Sequence, residues 1–232
     1  MSAQTREQRL AGINVEITEP ETSHGVTFLL TGAMICESEY ISYRDQLAGL
    51  GQTVICFFID VLWPAPWPFI NNHRRHAKKV KGLFDAYCKQ NKNCPSKYNI
   101  VGHSVGGKVA LIALAHTDPE RVKTVIAFDP VDQTPPEFTG AGILSLDEAK
   151  ESTVILTLTD GGRGISRSHD AGSINMNFPD TTKLVRHEEA GHLAYTDDGG
   201  GLMKFLMPDL GTKLGNAAAH EDAHRLIREY LE

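Results

Sequence analysis

Apolar residues along this chain recur with two periods, and the periods alternate. Ile13, Val15 and Ile17 stand at every second position, which predicts an edge strand with one buried face. Val26–Leu30 is a continuous run ending at Thr31-Gly32, the pattern of a strand covered on both sides. Tyr40, Tyr43, Leu47 and Leu50 then recur at helical spacing, closed by Gly49 and Gly51. Thr53–Ile59 predicts another buried strand, and Phe69–Asn91 a helix with Ala77, Val80, Phe84, Tyr87 and Cys88 on one face. Lys97–Gly102 reads as a strand. Val105–His116 reads as a helix, apolar all round over Ala110–Ala115 and therefore buried. Strands over Thr124–Phe128 and Thr153–Thr159, a weaker one over Thr182–His187 and an amphipathic helix over Ala217–Leu231 complete the series. Strands alternating with helices imply a doubly wound α/β fold, a mostly parallel central sheet with helices on both faces. No repeat or linker interrupts it, and 232 residues suit one domain.

Composition narrows the partners. The net charge is −6 and no long basic run occurs, which argues against nucleic acid. Residues 1–12 are polar, so no signal peptide is expected. The most apolar stretch, Val54–Trp63, is short and broken by Asp60, so no membrane span is expected either. The four cysteines form no C-x-x-C pair, and Cys56 falls in an apolar strand. Cys56 is therefore expected to be a buried thiol and not half of a bridge, and a reducing, intracellular compartment fits best.

Open α/β sheets bind ligands at the carboxyl ends of their strands. The loops after residues 30, 59, 102, 128, 159 and 187 should therefore share one edge. Gly102-His103-Ser104-Val105-Gly106, between a strand and a helix, is a Gly-x-Ser-x-Gly turn. Its glycines permit a tight reversal that lifts Ser104 to a helix N-terminus, the setting of a nucleophile elbow. A serine needs a base at neutral pH. Of ten histidines, His192 in Ala190-Gly191-His192-Leu193 is best placed, since His187 should still lie in a strand and His103 should pack beside the elbow. The base needs a carboxylate. Asp129 and Asp160, each ending a strand, are nearly equal candidates, with Asp132 a nearby third. The Val105 amide and one from Thr31-Gly32-Ala33-Met34, best Ala33, would form the oxyanion hole. This chemistry requires no metal and no cofactor.

Other patterns weigh less. His220-Glu221-Asp222-Ala223-His224 matches the H-E-x-x-H zinc signature. However, Ala219, Ala223, Leu226, Ile227 and Tyr230 make it part of an ordinary amphipathic helix. Gly161-Gly162-Arg163-Gly164 lacks the rest of a phosphate loop. Trp63 and Trp67 lie in a Pro-rich segment at a strand end, where they could line a site for a bulky apolar ligand, with Met34, contact a membrane surface, or cap the core.

Gly102-His103-Ser104-Val105-Gly106-Gly107-Lys108, Asp129-Pro130-Val131-Asp132 and Gly191-His192-Leu193-Ala194-Tyr195-Thr196-Asp197-Asp198 together resemble the chlorophyllase family of the α/β-hydrolase superfamily. The first is similar to its G-H-S-R-G-G-K elbow, the second to its D-P-V-D/A and the third to its G-H-M-D-x-L-D-D. The resemblance covers roughly residues 25–200. It implies an α/β-hydrolase fold, hydrolysis of the phytyl ester of chlorophyll, and a plastid or cyanobacterial setting. It carries the nucleophile onto Ser104, the acid onto Asp129 and the base onto His192, which favours Asp129 over Asp160. Val105 stands where the family has arginine, and Thr31 where it often has histidine, which bears on pocket shape. A general lipase or esterase, similar to platelet-activating-factor acetylhydrolases, and a non-catalytic ligand receptor on the same scaffold are the alternative readings.

Overall fold

The structure is a computed structural model that describes residues 3–59, 69–130, 152–159, 182–201 and 211–232. Eight strands make one sheet: β1 (Gln4–Leu10), β2 (Ile13–Glu19), β3 (Gly25–Leu30), β4 (Gln52–Cys56), β5 (Tyr98–His103), β6 (Val122–Phe128), β7 (Thr153–Thr159) and β8 (Lys183–His187). Their order is β1-β2-β4-β3-β5-β6-β7-β8. The first two pairings in that order are antiparallel and the rest parallel. The chain runs outward from β3 to β4, then returns to place β5 on the other side of β3. The strand order therefore reverses between β3 and β5, and such sheets take ligands at the carboxyl ends of the strands flanking that reversal.

Burial on both faces explains the long apolar runs. Along β3, Phe28 and Leu30 point into one core and Leu29 into the other; along β6, Val125 and Ala127 alternate with Ile126 and Phe128. Helices α2 (Phe69–Gln90) and α3 (Val105–Ile112) cover the first face. Helices α1 (Ile41–Gly49) and α4 (Lys213–Leu231) cover the second. Thr212 caps α4, its hydroxyl accepting the Gly215 N–H at 2.9 Å. Among the described residues, no helix is long and apolar enough to cross a membrane.

One expectation needs correcting, and one covalent link is new. The strand at Ile13 is not the sheet edge, because β1 pairs outside it through a turn in which Ala11 and Gly12 both have positive φ. Polar residues on both faces hid β1 from any hydrophobic pattern. Cys88 and Cys94 form a disulfide across the end of α2, with Cα atoms 5.0 Å apart. Pairing depends on that helix end turning back on itself, which spacing alone does not reveal. Cys56 is a buried thiol, as its strand position suggested.

Candidate active site

The turn from β5 into α3 is so tight that Ser104 adopts φ 57° and ψ −121°, a strained conformation for a residue with a side chain. A Cβ on Gly102 would lie 2.5 Å from the Gly106 carbonyl oxygen, and one on Gly106 2.3 Å from that of Leu30. Only glycine fits at either place. Backbone bonds hold the turn from both sides: the Ser104 N–H donates to the Phe128 carbonyl at 2.9 Å, and its carbonyl accepts the Lys108 N–H at 3.1 Å. The Ser104 hydroxyl makes no capping bond to its own helix.

Asp129 follows β6 directly, at φ 40°, with its N–H donating to the Thr157 carbonyl at 2.9 Å. Thr159, at the end of the neighbouring strand, donates its N–H to Oδ1 at 3.0 Å and its hydroxyl to Oδ2 at 2.8 Å. Burial pushes the Asp129 carboxyl up. The bond to and charge of His192, with the two Thr159 donors, outweigh burial and hold it below the usual carboxylate range.

His192 opens a short 3-10 turn, His192–Tyr195, beyond β8. The Gly191 N–H is tied to Asn216 Oδ1 on α4 at 2.8 Å, and Tyr195 stacks on Phe128 with ring centroids 5.2 Å apart. These contacts place His192 Nδ1 2.6 Å from Asp129 Oδ2 and Nε2 2.9 Å from Ser104 Oγ. An ionised carboxylate only accepts, so Nδ1 carries the proton and donates it. The Nε2 lone pair is left to accept the Ser104 O–H. A serine hydroxyl, a base within reach and an acceptor orienting that base form the arrangement that activates a serine for attack on a carbonyl.

The sequence matches no protein-family model and no curated protein sequence. Solved structures do match. TT1662 from Thermus thermophilus superposes with a TM-score of 0.67 at 15% identity, covering 100% of this chain and 99% of that one. A dienelactone hydrolase from Anabaena variabilis gives 0.63 at 16%, with 100% of each chain covered. The carboxylesterase CesB from Bacillus subtilis gives 0.57 at 13%, covering 100% and 92%. The fold is that of the α/β-hydrolases.

Within this α/β-hydrolase fold the structure brings Ser104, His192 and Asp129 together and seats Val105 at the first position of α3. Ala33 and Met34 lie in the loop after β3; Leu30, which ends that strand, and Thr31, which follows it, pack on Gly106. Met34 is partly buried and touches both cores. Trp63, Trp67, Asp132 and Asp160 lie outside the described residues. His187 ends β8, with Nε2 3.4 Å from Asp222 Oδ2. His220 and His224 sit on α4 against α1, where the His224 ring stacks on Tyr43 at 4.6 Å. Among the described residues, no group of three or more His, Cys, Asp or Glu side chains could hold a metal ion.

Sequence reasoning missed the supports. Thr159 could have been found as a hydroxyl residue closing the strand that follows the one bearing Asp129. Asp197, in the last motif, accepts the Ser42 N–H of α1 at 2.9 Å through Oδ2, and its own N–H donates to the Glu39 carbonyl at 2.9 Å. It therefore pins the His192 turn to α1, a role no local pattern announces.

His103 is buried beside the elbow. Burial, with repulsion from the neighbouring His192 ring, pushes its pKa down to about 3 from 6.5. Between those values the unfolded chain binds a proton that the folded chain does not. The stability tied to a neutral His103 is thus complete above pH 6.5 and lost as pH falls toward 3. Each pH unit in that window removes at most about 1.4 kcal/mol. Urea midpoints measured from pH 7 down to 4 should fall less steeply for His103→Gln than for the natural chain. Parallel slopes would show that this ring does not drive the acid loss.

Proposed function

We propose that this protein is a carboxylic-ester hydrolase that works through Ser104, His192 and Asp129. The hydrogen-bonded line among these three, at the carboxyl edge of the sheet where the strand order reverses, carries the reading. Ser104 Oγ attacks the ester carbonyl carbon while its proton passes to His192 Nε2. The Asp129 carboxylate holds the tautomer and balances the imidazolium, without itself taking the proton. The carbonyl oxygen, negative in the tetrahedral intermediate, is received by the backbone amides of Val105 and Ala33. The intermediate collapses to an acyl-enzyme as His192 returns the proton to the leaving alcohol. Water, deprotonated by the same histidine, then releases the acid and restores Ser104. No step draws on a metal or cofactor.

For the substrate we propose a bulky apolar ester of the chlorophyll type, cleaved to chlorophyllide and phytol. The support is the coincidence of elbow, Asp-Pro-Val-Asp and Gly-His motifs on the three strand ends that build the site. The likeness in fold to a dienelactone hydrolase and a carboxylesterase favours the ester-hydrolase part alone. Val105 in place of arginine and Thr31 in place of histidine alter side chains around the amide donors but not the donors themselves.

The test is direct: incubate the purified protein with detergent-dispersed chlorophyll a and, separately, with p-nitrophenyl butyrate, and resolve the products by reverse-phase chromatography. Chlorophyllide and phytol should accumulate in equal amounts. Turnover of the short ester alone would replace the phytyl ester by a small-substrate esterase reading. Hydrolysis of neither, across a panel of esters, would overturn the proposal in favour of a binding role.

A further inference from the structure

Two buried side chains beside Ser104 take no part in the Ser–His–Asp line yet connect its two flanks. Tyr40 and His103 are 2% and 1% exposed. The Gly32 N–H donates to the Tyr40 hydroxyl at 3.0 Å. That hydroxyl lies 2.7 Å from His103 Nδ1, and His103 Nε2 lies 2.9 Å from the backbone carbonyl oxygen of His192.

Each proton in this chain has one place to be. The His192 carbonyl only accepts, so His103 Nε2 carries the hydrogen. In a neutral ring Nδ1 is then a bare acceptor, and Tyr40 O–H must donate to it. The Tyr40 oxygen has lone pairs left, and one receives the Gly32 N–H. A second proton on His103 would set N–H against O–H in a site with no water-exposed escape. It would also put a cation 4.8 Å from the His192 ring, centroid to centroid, just where His192 gains its own charge on taking the Ser104 proton. Burial keeps His103 neutral and so keeps the chain directed.

The two ends of the chain matter. Gly32 immediately precedes Ala33, the residue whose amide is proposed to receive the oxyanion. The peptide entering Gly32 is held by Tyr40, and the peptide leaving it by the Ile35 N–H, which donates to the Gly32 carbonyl at 3.3 Å. A Cβ on Gly32 would lie 2.7 Å from Ile35 Cδ1, 3.2 Å from the Tyr40 oxygen and 3.3 Å from His103 Nδ1. With both peptide planes fixed, the direction of the Ala33 N–H is fixed too. At the other end the His192 backbone is fixed by His103, while its ring is fixed by Asp129.

The geometry points to Tyr40 and His103 as positioning residues that lock the oxyanion loop and the His192 turn to one another, so that the base and the amide donor address the same reacting carbonyl. This rests on the ester-hydrolase reading above and deepens it. Binding of the ground-state ester does not need that alignment, whereas the tetrahedral state does. Loss of the lock should therefore appear in kcat and not in KM. Removing an oxyanion donor outright costs about 10²–10³ in kcat, so loosening one should cost about tenfold or more.

The experiment uses Tyr40→Phe, which removes one oxygen, and His103→Gln. Reactive sites are first counted by burst labelling with a fluorophosphonate probe, and kcat and KM for p-nitrophenyl butyrate are then expressed per labelled site. A purely structural role would lower the number of labelled sites or the melting temperature but leave kcat per site intact. The expected result is a kcat per site reduced about tenfold or more in both variants, with KM within about twofold of the natural chain. Unchanged kcat per site, or a rise in KM alone, overturns the inference while leaving the ester-hydrolase reading in place. A natural chain that neither labels nor hydrolyses overturns that reading and this inference with it. Should Tyr40→Phe fail to fold, His103→Gln decides by the same criteria.

Discussion

Ser104→Ala should leave a folded protein whose kcat for ester hydrolysis is lower by about 10⁴–10⁶, the scale of single losses from a concerted triad. Folding should survive because the elbow is held by backbone groups: the Ser104 N–H to Phe128 and the Lys108 N–H to Ser104. Alanine has the same Cβ and so meets the same positive φ without a new clash. The hydroxyl itself bonds only to His192 Nε2 among the contacts described, at 2.9 Å. Its loss removes the proposed nucleophile and little else. Circular dichroism and a thermal melt would check the fold, and initial rates the activity. Retention of more than about a tenth of the rate would mean that another group attacks.

Asp129→Asn should be nearly as severe, lowering kcat by roughly 10⁴ with the fold again intact. The surroundings dictate which way the amide would point. Thr159 N–H donates to Oδ1 at 3.0 Å and can only donate, so the amide oxygen must stay there. The amide NH₂ is then forced to the Oδ2 position, 2.6 Å from His192 Nδ1. The Thr159 hydroxyl, now 2.8 Å from Oδ2, can rotate to accept instead of donate. The imidazole has no such freedom. To avoid donor facing donor it must move its proton to Nε2, where it can no longer accept from Ser104. Asp160→Asn should cost less than about tenfold. Steady-state rates of both variants on one ester decide the matter, and the opposite ranking would sink the assignment of the acid.

The sheet was legible because its interior strands are covered twice. Val26–Leu30 and Thr124–Phe128 need apolar side chains on both faces, and a continuous run survives any uncertainty in register. The elbow was legible for a different reason. Its glycines answer close backbone approaches within five residues of sequence, so the constraint is local. His192, the ring that meets both Ser104 and Asp129, could be singled out from ten histidines because a glycine and a strand end mark its turn. What stayed hidden depends on neighbours distant in sequence. Thr159 meets Asp129 across 30 residues, Tyr40 meets His103 across 63 and Asp197 meets Ser42 across 155. A polar residue at such a place looks like any other until the strands are stacked. The β1 strand escaped because a solvated edge needs no hydrophobic pattern, and the Cys88–Cys94 pair because helix ends, not spacing, bring thiols together.

The two-sided core has a consequence for anyone who would evolve this protein in the laboratory. On the face covered by α1 and α4, Tyr40, Tyr43, Phe128, Leu193 and Tyr195 are packed into one cluster with the turn that bears His192. On the proposed mechanism, substitutions there should trade thermal robustness against turnover, because the same side chains pack the core and seat the His192 turn. On the α2 side, Ala77, Val80, Leu83, Phe84 and Tyr87 pack on the opposite core. That core also holds Val105 at the start of α3 but not the His192 turn, so replacements at those five positions should be screened for a larger stability margin with the rate checked alongside, since most mutations consume that margin.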